Sequence, residues 1–233
     1  FNTDVSIVTM NQNTGFSHAN NEAVRHARGG RVCVINPDVF PVDAGSVKAL
    51  LSWHVNAVAL PLNEACWLGR YANINPTYSG APYRQAIVDY VRALNRAGIY
   101  VVIRLSAAAP GANAYGSSDV SSVEIPMADA DHSVDFWKSV AATFRTYRRV
   151  LFHTYDEPHA VSWECLRDGC TATDTPDGQM RFGSYQTAGN QDMVDAIRAA
   201  GAVQPIVISG PNFAGDLSQW EQFKPRDPLH QLA

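Results

Sequence analysis

Apolar positions along this chain change period repeatedly, and the changes predict its elements. Asp43-Ala-Gly-Ser-Val-Lys-Ala-Leu-Leu-Ser-Trp53 reads as a helix with Asp43 as its N-cap. Asn56-Ala-Val-Ala-Leu-Pro61 is a short apolar strand. From Tyr83 to Ala97 the apolar residues Ile87, Tyr90, Val91 and Leu94 share one helical face, and Gly98 ends the pattern. Ile99 to Leu105 is a β-branched strand. Ser133 to Tyr147 returns to helical spacing through Val134, Trp137, Val140, Ala141 and Phe144. A strand at Val150–Tyr155, a helix at Tyr185–Ala200, a strand at Pro205–Ser209 and a short helix at Leu217–Phe223 complete the series. Upstream, Val5 to Met10 reads as a first strand.

Strands rich in Val and Ile that alternate with amphipathic helices predict a parallel sheet covered by helices. The chain holds roughly five such βα units, where a closed (β/α)8 barrel of TIM type needs eight. The fold expected is therefore one α/β domain over residues 1–233, of barrel type and incomplete, with 1–40 unassigned. Connections after helices are short, whereas those after strands are long, at Ser106–His132 and Asp156–Gly183. Long loops at the C-terminal ends of parallel strands are where barrel enzymes hold their sites. An unclosed barrel also leaves edge strands, which predicts extra covering elements, self-association or a complementing chain.

Composition narrows the function. The 233 residues carry 46% hydrophobic and 17% charged side chains, enough to fill a core and too few charges for a solvated tail. Eighteen basic against 22 acidic residues give a net charge of −4, so a nucleic-acid partner has no electrostatic footprint. Apolar runs are short, and no membrane span is expected. The chain opens at Phe1 with no basic-then-apolar leader, as expected either after removal of a signal peptide or for an excised piece. No phosphate-cradling glycine loop or nucleophile elbow is present, and no cofactor is expected.

Four cysteines allow three pairings, and no spacing suits zinc. The preferred bridges are Cys33–Cys66 and Cys165–Cys170, which point to a secreted protein.

The stretch with the most chemistry is Val150-Leu-Phe-His-Thr-Tyr-Asp-Glu-Pro-His159, an apolar strand ending in the carboxylate pair Asp156-Glu157 and a turning proline. A glutamate at a strand's end, directed into a cleft, suits acid/base work if burial raises its pKa. His153, Asp156, Glu157 and His159 do not have the spacing of a metal site, and no metal is expected. Among the aromatics, Trp67, Tyr155, Trp163, Phe213 and Trp220 are candidates for stacking on sugars. Trp67 and Trp163, in loops after strands, are preferred. Glu64, just past a strand, is a candidate ligand contact but reads first as a loop cap; Asp216 is the one nearby substitute for a second carboxyl but reads first as a helix N-cap.

Several stretches together resemble glycoside hydrolase family 5, the cellulase-like barrels. They are Trp53-His-Val-Asn-Ala-Val-Ala-Leu-Pro-Leu-Asn-Glu-Ala-Cys-Trp-Leu-Gly69, Asn95 to Gly111, Met127 to Ser133 with Phe136-Trp137, Val150 to His159, and Gln204 to Trp220. The resemblance implies a secreted retaining β-glycosidase that hydrolyses a β-1,4-linked glucan or mannan, with Glu157 as acid/base. Asp156, Trp67, Trp163 and Asn212 would bind the β-linked poly- or oligosaccharide. Departures from the family pattern accompany it. Ala59 stands where the family usually has Arg, Arg104-Leu-Ser-Ala107 where its third strand commonly ends Asp-Leu-His-Trp, and Asp156 where it has Asn. The family's nucleophilic glutamate belongs to a seventh strand, and no residue here matches it. An inactive glycan-binding or extracellular structural module of the same fold is the alternative.

Overall fold

The computed structural model describes residues 44–71, 74–111, 125–173 and 184–233. The chain divides into two compact units, Phe1–Phe40 and Pro41–Ala233, and every element below belongs to the second. The strand expected at Val5–Met10 lies outside the described residues.

Helix α1 (Ala44–Ser52) leads into β1 (Ala57–Asn63), and α2 (Glu64–Leu68) follows at once. Then come α3 (Ala81–Arg96), β2 (Tyr100–Ala107), α4 (Ser133–Phe144) and β3 (Val150–His153). Helix α5 (Trp163–Asp168) precedes a small hairpin, β4 (Thr171–Thr173) and β5 (Ser184–Gln186). Helix α6 (Asn190–Ala199), β6 (Ile206–Val207) and α7 (Trp220–Phe223) complete the order. The four strands β1-β2-β3-β6 form one parallel sheet in that order. Beside β6 the chain extends it once more: Leu232 bridges Ile206 in parallel, with Ile206 N–H donating to Gln231 O at 2.8 Å and Ala233 N–H to Ile206 O at 2.9 Å. No helix among the described residues is long and apolar enough to cross a membrane.

Side chains alternate strictly across this sheet. Val58, Leu60 and Leu62, then Val101, Ile103 and Leu105, then Val150 and Phe152, then Ile206 and Ile208 are all buried on the helix-covered face. The second face carries Ala59, Pro61, Val102, Arg104, Ser106, Leu151, His153, Val207 and Ser209, none of them fully buried. Above the covered face an aromatic chain supplies much of the core. Trp67 meets Phe136 edge-on at 6.2 Å, Phe136 meets Trp137 at 5.1 Å, and Trp137 meets Phe152 at 5.9 Å. Edge-to-face pairs of this kind add to the burial of their large surfaces. Both indoles find acceptors, Trp137 Nε1 donating to Thr154 O and Trp67 Nε1 to Ser139 Oγ, each at 3.0 Å.

Among its described residues the long connection expected at Asp156–Gly183 holds α5 and β4. Asn63 caps α2 by accepting the Cys66 N–H at 3.0 Å, and Ser162 caps α5 in the same way. Gly69 ends α2 at φ 65, where a Cβ would lie 2.6 Å from Gly80 Cα, so only glycine allows this close approach. A Cys165–Cys170 disulfide staples the end of α5, next to the hairpin. Cys66 is half-buried, and Cys33, with which a bridge was expected, lies outside the described residues.

Below the sheet, Arg198 on α6 grips Asp227 with two hydrogen bonds, at 2.8 and 2.9 Å, and also donates to Ala202 O and Gln204 O. The side chains are only 7% and 1% exposed, and the guanidinium holds the Asp227 carboxyl far below the usual carboxylate range. Breaking such a pair from one side leaves a buried charge without a partner. Arg198→Met is therefore expected to lower the unfolding free energy by about 3–5 kcal/mol in urea titrations. A loss below about 1 kcal/mol would mean that the pair behaves as a solvated one.

Candidate active site

The C-terminal ends of the parallel strands bring together Glu64 after β1, Arg104 and Ser106 on β2, Asp156 to His159 after β3, and Ser209 to Ala214 after β6. Glu157 sits in a sharp turn with its backbone in the left-handed region, φ 53, and its side chain is exposed. The burial expected of this glutamate is not found among the described residues. Left-handed, non-glycine backbone recurs close by at Ala160, Asn212, Phe213 and Ala214. Clusters of this kind collect at functional sites because the surrounding contacts must compensate the strain.

Asp156 turns back onto the second face of the sheet. Arg104 Nη1 lies 2.9 Å from its Oδ2, Ser106 Oγ donates to the same oxygen at 3.4 Å, and the Asp156 N–H reaches Leu105 O at 2.9 Å. The register explains the meeting, since Pro61, Arg104, His153 and Val207 stand in one row across the four strands. Next to this pair, His153 Nε2 is 2.7 Å from Ser209 Oγ. Burial lowers the His153 pKa, which favours the neutral imidazole, and Nε2 shares one hydrogen bond with the Ser209 hydroxyl.

Two expected sugar-stacking residues are not available. Trp67 is fully buried in the core, because the Asn63 cap starts a helix where a loop was expected and turns the indole inward. Trp163 is 5% exposed, its ring covered by Phe223 and its Nε1 donating to Asp216 Oδ2 at 3.3 Å. Asp216 caps the turn toward α7 by accepting the Ser218 N–H at 2.8 Å, which holds its pKa low. Asn212 is exposed in the turn after β6, beside Phe213. Among the described residues no three His, Cys, Asp or Glu side chains gather as a metal site requires.

The group that sequence reasoning missed is a buried pair of carboxyls. Glu64 and Asp129 are both 0% exposed and both accept the Ala109 N–H, at 2.9 and 3.2 Å. Ser133 Oγ donates to Glu64 at 2.6 Å, and Asp129 accepts the His132 N–H at 2.8 Å. Burial first, and the Asp129 charge second, push the Glu64 carboxyl well above the usual carboxylate range. This direction favours the protonated form of the Glu64 carboxyl. The pair ties the loops after β1 and β2 to the start of α4. Only the apolar run ahead of Glu64 and the acidic Met127-Ala-Asp-Ala-Asp131 hinted at it.

The family profile of cellulase (glycosyl hydrolase family 5) matches residues 18–233. The chain belongs to glycosyl hydrolase family 5. No curated protein matches it in sequence. Among solved structures, it is similar to the endo-β-1,4-glucanase Xac0029 from Xanthomonas axonopodis pv. citri. They share 20% identity over 84% of this chain and 57% of that one, with a TM-score of 0.55. XacCel5A in complex with cellopentaose gives 19% identity, 82% and 54% coverage, and a TM-score of 0.54. The Pseudomonas stutzeri endoglucanase Cel5A in complex with cellobiose gives 16%, 82% and 49%, and 0.53. The chain thus spans about half the length of the solved structures that it matches. Its parallel sheet with helices on one face is part of a family 5 (β/α)8 barrel.

A protonated Glu64 stabilises the fold at low pH, and its contribution fades as pH rises through the raised native pKa. Glu64→Gln keeps a donor and an acceptor at this position with no proton to lose. Wild-type Tm minus variant Tm is expected to fall by about 3 °C or more between about pH 5 and pH 9. A pH-independent difference in thermal unfolding would mean that Glu64 does not hold the proton.

Proposed function

We propose that this chain supplies the acid/base half of the active site of a secreted retaining β-glycosidase of endo-β-1,4-glucanase type, with Glu157 as proton donor. The observation that carries this reading is Glu157 itself. It is an exposed carboxylate in a left-handed turn at the end of a parallel strand, followed by Pro158, in a family 5 chain. The Cys165–Cys170 bridge supports an oxidising, extracellular setting.

Retaining hydrolysis needs a second carboxyl about 5–5.5 Å from the first. Among the described residues every nearby candidate is committed elsewhere: Asp156 to Arg104, Asp216 to Ser218, Glu64 and Asp129 to one another. That commitment favours a second reading, a glycan-binding module of the same fold without turnover. In the first reading Glu157 protonates the leaving oxygen of a β-linked glucan, and a carboxylate outside the described residues attacks the anomeric carbon.

Leaving-group acidity separates the two in the full-length protein. Glu157→Gln is expected to slow cellopentaose hydrolysis by roughly 10²–10⁴-fold. Release of 2,4-dinitrophenolate from an activated cellobioside, which needs no proton, should fall far less. Equal loss on both substrates would remove Glu157 from the proton-donor role. Binding of cellopentaose with no turnover of either substrate by the wild type would establish the binding module instead.

A further inference from the structure

Among the described residues no hydrogen bond holds the Glu157 carboxylate, so they place it through its backbone alone. That backbone has φ 53, a conformation that a glutamate leaves unless its neighbours hold it. One side chain reaches this turn from the protein side. His159 Nδ1 is 3.0 Å from Glu157 O, and because a carbonyl only accepts, the hydrogen sits on Nδ1. The imidazole is 7% exposed and is itself fixed from two directions. Its backbone N–H donates to Pro126 O at 3.0 Å, and its ring lies flat on Phe213, centroids 4.5 Å apart and planes 7° from parallel. The Phe213 N–H in turn donates to Pro158 O at 2.9 Å. The turn Asp156-Glu157-Pro158-His159 is thus tied to the segment before α4 and to the loop after β6.

Packing alone does not call for a histidine here. A phenyl ring would fill the same space and stack as well on Phe213, without the cost of burying a polar ring. What the imidazole adds is one N–H, and that N–H goes to the carbonyl of Glu157. We propose that His159 is a positioning residue for the proton donor: its Nδ1–H fixes the Glu157 peptide in the left-handed turn that aims the carboxyl at the glycosidic oxygen. This inference rests on the reading of Glu157 as acid/base and adds a residue that acts only through it. Without the bond the peptide relaxes toward ordinary φ and carries the carboxyl away from its target. A misplacement of about 1 Å costs about 10²-fold, and here the loss falls on the step that needs the proton. Substrate binding and the departure of an activated leaving group need none.

The test uses the full-length protein, with kcat and KM for cellopentaose and for 2,4-dinitrophenyl cellobioside, and with thermal unfolding of each variant. His159→Phe keeps a ring against Phe213 and removes the donor. It is expected to lower kcat on cellopentaose about 10- to 100-fold, leave KM within about twofold, and largely spare the cellobioside. His159→Asn sets an amide N–H about where Nδ1 stood and is expected to regain most of that kcat. Unchanged kcat in His159→Phe, while Glu157→Gln is slowed on cellopentaose alone, would overturn the role of His159 and leave Glu157 as the donor. Equal loss on both substrates in His159→Phe, or no recovery in His159→Asn, would make His159 a structural part of the turn only. Should His159→Phe not fold, His159→Gln replaces it, since its amide reaches the place of Nε2 and not of Nδ1. A slow His159→Gln beside an active His159→Asn would then support the proposal, and equal rates would overturn it. A wild type that turns over neither substrate would overturn the acid/base reading and this inference together.

Discussion

In a parallel sheet each side chain given to one face takes its neighbours from the other, and this constraint orders the rest of the molecule. Once Ile103 and Leu105 pack under the helices, Arg104 and Ser106 have to stand on the opposite face. The register then places Arg104 beside His153, and the chain leaving β3 must return a carboxylate to that row. Asp156 does so at 2.9 Å. A cation half-withdrawn from water without that partner would cost several kcal/mol, so the identities of residues 104 and 156 are linked. The departures from the family pattern read differently in this light. Where relatives commonly have Arg, this chain has Ala59, and a guanidinium stands instead on the adjacent strand and the same face. Asp in place of Asn at 156 is its counter-charge.

A second constraint acts one layer above. The loops after β1 and β2 and the start of α4 converge on a single N–H, that of Ala109, with two carboxyls accepting from it. Burial and the neighbouring acid push the Glu64 carboxyl well above the usual carboxylate range, which favours its protonated form. Segment 125–133 is fixed from several further sides. The Tyr185 hydroxyl donates to Met127 O at 2.8 Å, Ala188 N–H to Ala128 O at 2.9 Å, and His159 N–H to Pro126 O. The support of the Glu157 turn therefore runs through Pro126 and Asp129, remote in sequence from the strand that carries it.

This explains what was legible in the sequence and what was not. Strands and amphipathic helices came through because their periods are local: Ile87, Tyr90, Val91 and Leu94 fall on the buried side of α3 as their spacing requires. The turn bearing Asp156 and Glu157 was legible because a strand, an acidic pair and a proline follow one another directly. Trp67 was misplaced because a single Asn63 side chain decides whether the next residues coil or continue outward. The start expected for α6 at Tyr185 is in fact β5, and Ser184–Gln186 is too short for a period to show. The meeting of Glu64 and Asp129 left no local trace, since the two lie far apart in the chain and only the fold brings both to the Ala109 N–H.

The parts of the site differ in how firmly they are held. Arg104 and Asp156 are fixed by the strand register, and Glu64 and Asp129 by burial. Glu157 and Phe213 are exposed and held in left-handed backbone by their neighbours alone. Strain of that kind, of order 1–3 kcal/mol at each such residue, persists only where rigid supports over-determine it. Here the supports are His159, wedged between the Glu157 carbonyl and the Phe213 ring, and the backbone bond from Phe213 to Pro158. A loop that merely closed the chain between strands would relax by placing glycine at 157 or 213.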